Sequence, residues 1–254
     1  LGEIVRALLT LLALCFGLTT QAQEFQDAEQ AYIHGDYLGA VKRGRALGHA
    51  DGYALAARSN LVIAAYLEQD REAALTILEE ALQDAKKAVE LDPEHIEGQL
   101  QQAIAMGYQA RISRSTGLAK ETRALIDMVL AQEPNHDYAL ATLGGWHGES
   151  IATVGGFLAR IGTGARKSEF MKAFEAAMVA DPHNVATRSY YARLLLDIGG
   201  KAFKARAVDV LAEAATIAPR NAFEVMMQTQ ALTLSEILKS GDRRALKARI
   251  KDFT

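Results

Sequence analysis

Pro93, Pro134, Pro182 and Pro219 are the only prolines in the 254-residue chain. Each closes a similar phrase: KAVELDPEH, MVLAQEPNH, AAMVADPHN and EAATIAPRN. Proline lacks an amide proton and pushes the residue before it out of the α region, so each marks a helix end. The prolines recur at intervals of 41, 48 and 37 residues, which divides the chain into comparable units. Before them, apolar residues fall at helical spacing: Leu75, Leu78, Leu82 and Val89; Ile126, Val129 and Leu130; Phe170, Phe174, Ala177 and Met178; Val208, Leu211, Ala212 and Ala215. After them, further helices are predicted: HIEGQLQQAIAMGYQA, DYALATLGGWHGE, VATRSYYARLLLDIG and FEVMMQTQALTLSEIL. The repeating unit is thus two antiparallel helices and a proline-marked turn, and the fold class is all-α.

Composition agrees: half of the residues are hydrophobic, and alanine and leucine, which lose least on entering a helix, are abundant. The formal net charge of -3 gives no global basic field, which argues against a nucleic-acid partner. At the N-terminus Arg6 precedes an apolar run from Ala7 to Leu18, and TTQAQ follows with Thr20 and Ala22 at the -3 and -1 positions of a cleavage site. Residues 1–22 therefore read as a secretory signal, leaving 23–254 as the mature chain in the periplasm or outside the cell. The run is short of the ~20 apolar residues of a spanning helix, though an uncleaved signal would act as a membrane anchor. The only cysteine, Cys15, lies in this run, so a chain cut after Ala22 has neither a disulfide nor a thiol nucleophile. LALC is close to a lipoprotein box, but Leu14 stands where a small residue is required.

The hairpin unit resembles the tetratricopeptide repeat (TPR), whose 34-residue period carries small contact residues and a proline near its end. AYIHGDYLGA, with Gly35, Asp36, Tyr37 and Ala40, is similar to its inter-helix turn. Ala88 with Pro93, Ala177 with Pro182, and Ala214 with Pro219 keep its alanine-to-proline spacing, while Val129 takes the matching place before Pro134. The resemblance implies a right-handed superhelical solenoid of degenerate, lengthened repeats, with a concave binding face. The tail KSGDRRALKARIKDF reads as its basic C-terminal capping helix.

One repeat, 137–182, is enlarged. It contains LGGWHGESIATVGGFLARIGTGARKS (143–168), with the only tryptophan, glycines that interrupt a helix, and the apolar Phe157, Leu158 and Ile161 in the middle. GTGARKS is not a nucleotide loop, because Ala165 and Arg166 separate Gly164 from Lys167 and no strand precedes it. His147, Glu149 and Ser150 do not share one helix face, and no nucleophile elbow is present. The six histidines lack metal-ligand spacing and read as helix caps or surface residues. No enzyme, cofactor or metal is therefore expected. A lid or ligand wall is the remaining reading. Leu143, Gly144, Trp146, Ala152, Gly164, Ala173, Phe174, Ala177 and Pro182 carry a resemblance to the TPR-type subunits associated with TRAP transporters and to the regulator-of-microtubule-dynamics family. That resemblance implies a non-enzymatic protein, in some members one holding a lipid or other apolar ligand in a cavity through the solenoid.

Two functions compete on these grounds. The first is a scaffold that binds a protein or peptide partner in the concave groove. Its floor is predicted from the first helix of each hairpin: Leu100, Ile104, Tyr108, Tyr138, Ala141, Gly145, Glu149, Ser189, Arg193, Leu196, Phe223, Met226 and Gln230. Arg111 and Arg114, three apart, add charge on one face. The second is a periplasmic carrier of a lipid or small apolar ligand, linked to transport and close to a membrane, with 143–168 as the lid. There Trp146, with Phe157, Leu158 and Ile161, lines the pocket, Arg160, Arg166 and Lys167 meet an anionic group, and His147 is a further candidate contact.

Overall fold

Helix α1 (residues 22–33) opens a computed structural model that describes residues 22–251. The signal segment, Cys15 and Phe253 lie outside the described residues, apart from Ala22, the first residue of α1. The chain continues as α2 (Tyr37–Leu47), α3 (Ala50–Val62), α4 (Arg71–Leu91), α5 (Ile96–Ser113), α6 (Thr116–Gln132) and α7 (Asp137–Val154). Then come α8 (Gly156–Gly162), α9 (Lys167–Ala180), α10 (Val185–Ile198), α11 (Lys201–Thr216), α12 (Ala222–Ser240) and α13 (Arg243–Lys251). Among the described residues every regular element is helical, and one π-helical turn, Ile63–Leu67, extends α3.

The predicted hairpins are α3/α4, α5/α6, α7/α9 and α10/α11, each pairing an inner helix with an outer one. Successive inner helices α3, α5, α7, α10 and α12 pack side by side, so the structure is an all-α helical-hairpin solenoid. Each proline follows the last turn of an outer helix: α4 ends at Leu91 before Pro93, α6 at Gln132 before Pro134, α9 at Ala180 before Pro182, α11 at Thr216 before Pro219. The next inner helix starts with a side-chain cap that satisfies an otherwise unpaired amide. His95 Nδ1 accepts from the Gly98 amide at 2.9 Å, His136 Nδ1 from Ala139 at 3.4 Å, and Asn184 from Thr187 at 2.9 Å. Two histidines of the proline phrases are thus caps.

The largest core cluster joins α9, α10, α11 and α12 through Phe170, Phe174, Tyr191, Leu194, Leu211 and Leu234. Phe174 and Tyr191 stack with ring centroids 4.7 Å apart. Ile250 of α13 is buried against the same cluster. The glycines of LGGWHG lie within α7 and permit close packing. A Cβ on Gly144 would sit 2.5 Å from the Phe174 ring, and one on Gly148 would sit 2.8 Å from Phe170 and Leu194. The chain breaks at Gly155, with φ at +81°, and again at Gly164, with φ at +86°. Between them lies α8, the extra element of the enlarged repeat.

The ends of the solenoid meet. Phe223 and Met226 of α12 pack against a cluster of α1, α2 and α3 containing Ala28, Tyr32, Tyr37 and Leu55. The Phe223 ring meets Tyr66 edge to face at 5.3 Å. A Cβ on Gly35 would reach 3.0 Å from the Ala222 side chain, so the predicted inter-helix turn of the first hairpin is also where the last one docks.

Candidate functional site: an interhelical cavity

Between the inner helices lies a half-open cavity of about 330 Å³. Its wall takes Tyr32 from α1, Leu61 and Tyr66 from α3 and its π turn, Ile104 and Tyr108 from α5, Ile126 from α6, Ala141 and Trp146 from α7, Tyr190 from α10, and Phe223 and Met227 from α12. The lining is chiefly apolar and aromatic, with two sets of charge. At one set Arg58 lies 4.3 Å over the Tyr32 ring and 3.8 Å from Glu97.

The other set is deeper. Arg193 of α10 is 6% exposed and is hydrogen-bonded to Glu149 of α7. Arg111 of α5 stands 3.5 Å from the same carboxylate, and the Tyr190 hydroxyl donates to it at 3.3 Å. Burial alone raises the Glu149 carboxyl, but Arg193 and Arg111 outweigh that and hold it below its usual value. Burial pushes the Tyr66 and Tyr190 phenols well up, so both remain protonated. A recess of about 20 Å³ adjoins the cavity here, lined by Tyr66, Tyr108, Arg111, Glu149, Ser189 and Arg193, and also by Gln230.

Trp146 is both core and wall. It is 8% exposed, packs with Ile126, Ile151, Ala159 and Ala165, and its indole N–H donates to the Ala119 carbonyl at 2.6 Å. His147 points away from the cavity. Its Nδ1 accepts from the Arg166 amide at 3.2 Å, and the Arg123 guanidinium lies 3.4 Å from Nε2. Burial, with the Arg123 charge added, lowers its pKa to about 4.

Tyr108, Arg111, Arg114, Tyr138, Trp146 and Glu149 therefore border the cavity, and Arg193 and Gln230 border the recess. Others stand elsewhere. Leu100 is buried on the outer side with Val129 and Ala139, and Met226 packs against the first hairpin while its neighbour Met227 takes the cavity position. His147 is a clamp on the enlarged repeat. Phe157 and Leu158 do not line the pocket: Phe157 is 76% exposed, Ile161 69%, and Leu158 and Arg160 also face solvent. The small Ala159 and Ala165 are the buried apolar residues of this stretch, packed with Trp146 and Ile151. Arg166 meets His147 through its backbone, its side chain exposed. The inserted helix α8 does not line the cavity; the residues on either side of it, Val154 and Thr163, do.

Tyr32, Arg58, Tyr66, Tyr190 and Met227 are lining residues that the sequence reading did not name as contacts. Arg58, Val62 and Tyr66 recur every four residues on one helix face, a signal legible in the chain. Tyr190 and Met227 each lie one residue from a position that was named.

No protein-family model and no curated protein matches the sequence. The structure is similar to the crystal structure of a thermophilic TPR protein of Thermus thermophilus, with a TM-score of 0.60 and 16% identity over 84% of this chain and 99% of that one. At that identity the likeness establishes the fold: a TPR-type helical-hairpin solenoid.

Proposed function

We propose that this protein is an exported, non-enzymatic binding component, linked to transport, that holds an elongated and largely apolar small molecule in its interhelical cavity. The carrying observation is the cavity itself, about 330 Å³, walled by inner helices from α3 to α12. Protein interiors are close-packed, with few voids larger than a water, and small-molecule sites occupy roughly 300–1,000 Å³. Helical-repeat solenoids are commonly interaction scaffolds. The buried titratable groups support binding over catalysis, since Glu149 is paired with Arg111 and Arg193 instead of standing as the base of a nucleophile. Arg193 and Glu149 are enclosed, which favours a small ligand over a peptide lying in an open groove.

The full chain, expressed with its N-terminal segment and recovered from the periplasm, tests this by native mass spectrometry against a denatured control. Added mass that is lost on denaturation and extracts as apolar material supports the reading. A bare native mass, with Trp146 fluorescence unmoved by a panel of apolar ligands, overturns it.

A second reading keeps the protein-partner role but moves it to α8. Phe157, Leu158 and Ile161 form an exposed apolar face flanked by Arg160, Arg166 and Lys167, a composition suited to a protein surface with an acidic rim.

A further inference from the structure

Arg193 carries an imbalance that the rest of the cavity does not explain. Its Nη2 is bonded to Glu149, but its Nη1 is buried without a hydrogen-bond partner, as are Arg111 Nε and Ser189 Oγ. A buried guanidinium nitrogen left unbonded is costly, and such groups are almost always satisfied in folded proteins. Two guanidinium groups here share one carboxylate, so the set of Arg111, Arg193 and Glu149 is one negative charge short. Asp197, one turn along α10, is solvent-exposed and makes no ion pair with either arginine, so Arg193 and Arg111 act on its carboxyl only at longer range. Arg193, Arg111 and Ser189 all line the recess, and the recess shares Tyr66, Tyr108, Arg111, Glu149, Tyr190 and Met227 with the main cavity.

We infer that the cavity selects a ligand with an extended apolar body and a terminal carboxylate, whose oxygen enters the recess and accepts from Arg193 Nη1 and Ser189 Oγ. This rests on the cavity reading above and assigns its ligand class. The recess, about 20 Å³, has room for one water-sized polar group. A carboxylate presents one oxygen edge-on and fits; a tetrahedral phosphate, with oxygens on all sides, does not. The arginine geometry suits a planar acceptor, since guanidinium and carboxylate meet in one plane. The fourth charge then completes an alternating set of two cations and two anions. An uncharged ligand of the same length buries the same apolar area but leaves Arg193 Nη1 unbonded.

The experiment titrates delipidated full-length protein with dodecanoate, dodecanol and dodecyl phosphate, read through Trp146 fluorescence and calorimetry. Dodecanoate is expected to bind at least tenfold more tightly than either. Equal affinity for dodecanoate and dodecanol leaves the cavity reading standing and overturns the carboxylate inference. Preference for dodecyl phosphate overturns it as well. No binding of any of the three removes the cavity reading and this inference with it. Because loss of Arg193 alone strands Glu149, the paired variant Glu149→Gln with Arg193→Gln is used, and Ser189→Ala is the milder second. The pair is expected to abolish the preference for dodecanoate over dodecanol, and Ser189→Ala to reduce it about threefold. A folded pair that still prefers dodecanoate tenfold overturns the assignment.

Discussion

The aromatic rings of Tyr66, at the end of α3, and Phe223, at the start of α12, meet edge to face 5.3 Å apart. One belongs to the first third of the chain and the other to its last hairpin, so this contact brings the two ends of the solenoid together beside the half-open cavity that both rings line. Phe223→Ala is expected to destabilise by about 2 kcal/mol, below the roughly 3–5 of a fully buried phenylalanine. Urea unfolding measures the loss. Hydrogen exchange is expected to speed up at Ile63–Leu67 and at the start of α12 together, whereas exchange faster at only one of them would show that the ends are not coupled.

The glycines of LGGWHG make a second test. On Gly144 an added methyl meets the Phe174 ring at 2.5 Å, inside any real contact, while on Gly162 its nearest neighbour is Thr116 at 3.8 Å. Gly144→Ala is expected to cost about 1–3 kcal/mol by overpacking, and Gly162→Ala to be neutral or slightly stabilising. Thermal melts of the two variants should part by several degrees. Equal melting temperatures would mean that α7 and α9 are less tightly packed than the structure places them.

His147 predicts a direction in pH. Its pKa falls from 6.5 to about 4 because burial and the nearby Arg123 disfavour the cation. The unfolded chain then binds more protons than the folded one between those values. Stability from this group is complete above about 6.5 and declines as pH drops through the window toward 4. Imidazole NMR at pH 5.5 should find His147 still neutral with Nδ1 as acceptor. A titration midpoint near 6.5 would remove the clamp between α7 and the Arg166 amide from the account.

The exposed face of α8 separates stability from recognition. Phe157→Ser and Leu158→Ser remove side chains that stand in solvent, and should shift stability by no more than about 0.5 kcal/mol. If α8 docks a protein partner, capture of that partner is lost with them while dodecanol binding stays unchanged. Retained capture places the partner elsewhere.

Much of the fold was legible before any coordinates. Proline ends a helix through its own covalent chemistry, and apolar spacing at 3.6 residues needs no tertiary information, so the hairpins followed from Pro93, Pro134, Pro182 and Pro219. The same spacing accounts for Tyr108, Tyr138 and Glu149 lining the cavity and Arg193 the recess, while Leu100, from the same register, is buried elsewhere. The register slipped at Met226, where Met227 faces inward, because two adjacent methionines give one helix face no preference over the next. It also failed at Phe157 and Leu158. Hydrophobicity says that such residues gain by burial but not that a surface exists to bury them, and the face that α8 turns to the core carries Ala159.

The all-α repeat, its helix ends and its inner faces are legible in the chain, since each is a property of residues within one or two helical turns. That the two ends of the solenoid come together is legible only in the assembled fold. That closure depends on the small rotation between successive hairpins accumulating until Phe223 arrives at Tyr66, a sum over every interface that no single stretch encodes. Closure in turn buries Arg193, Glu149 and Arg111 around one recess, and turns residues that read as a solvated groove into the charged end of an apolar cavity.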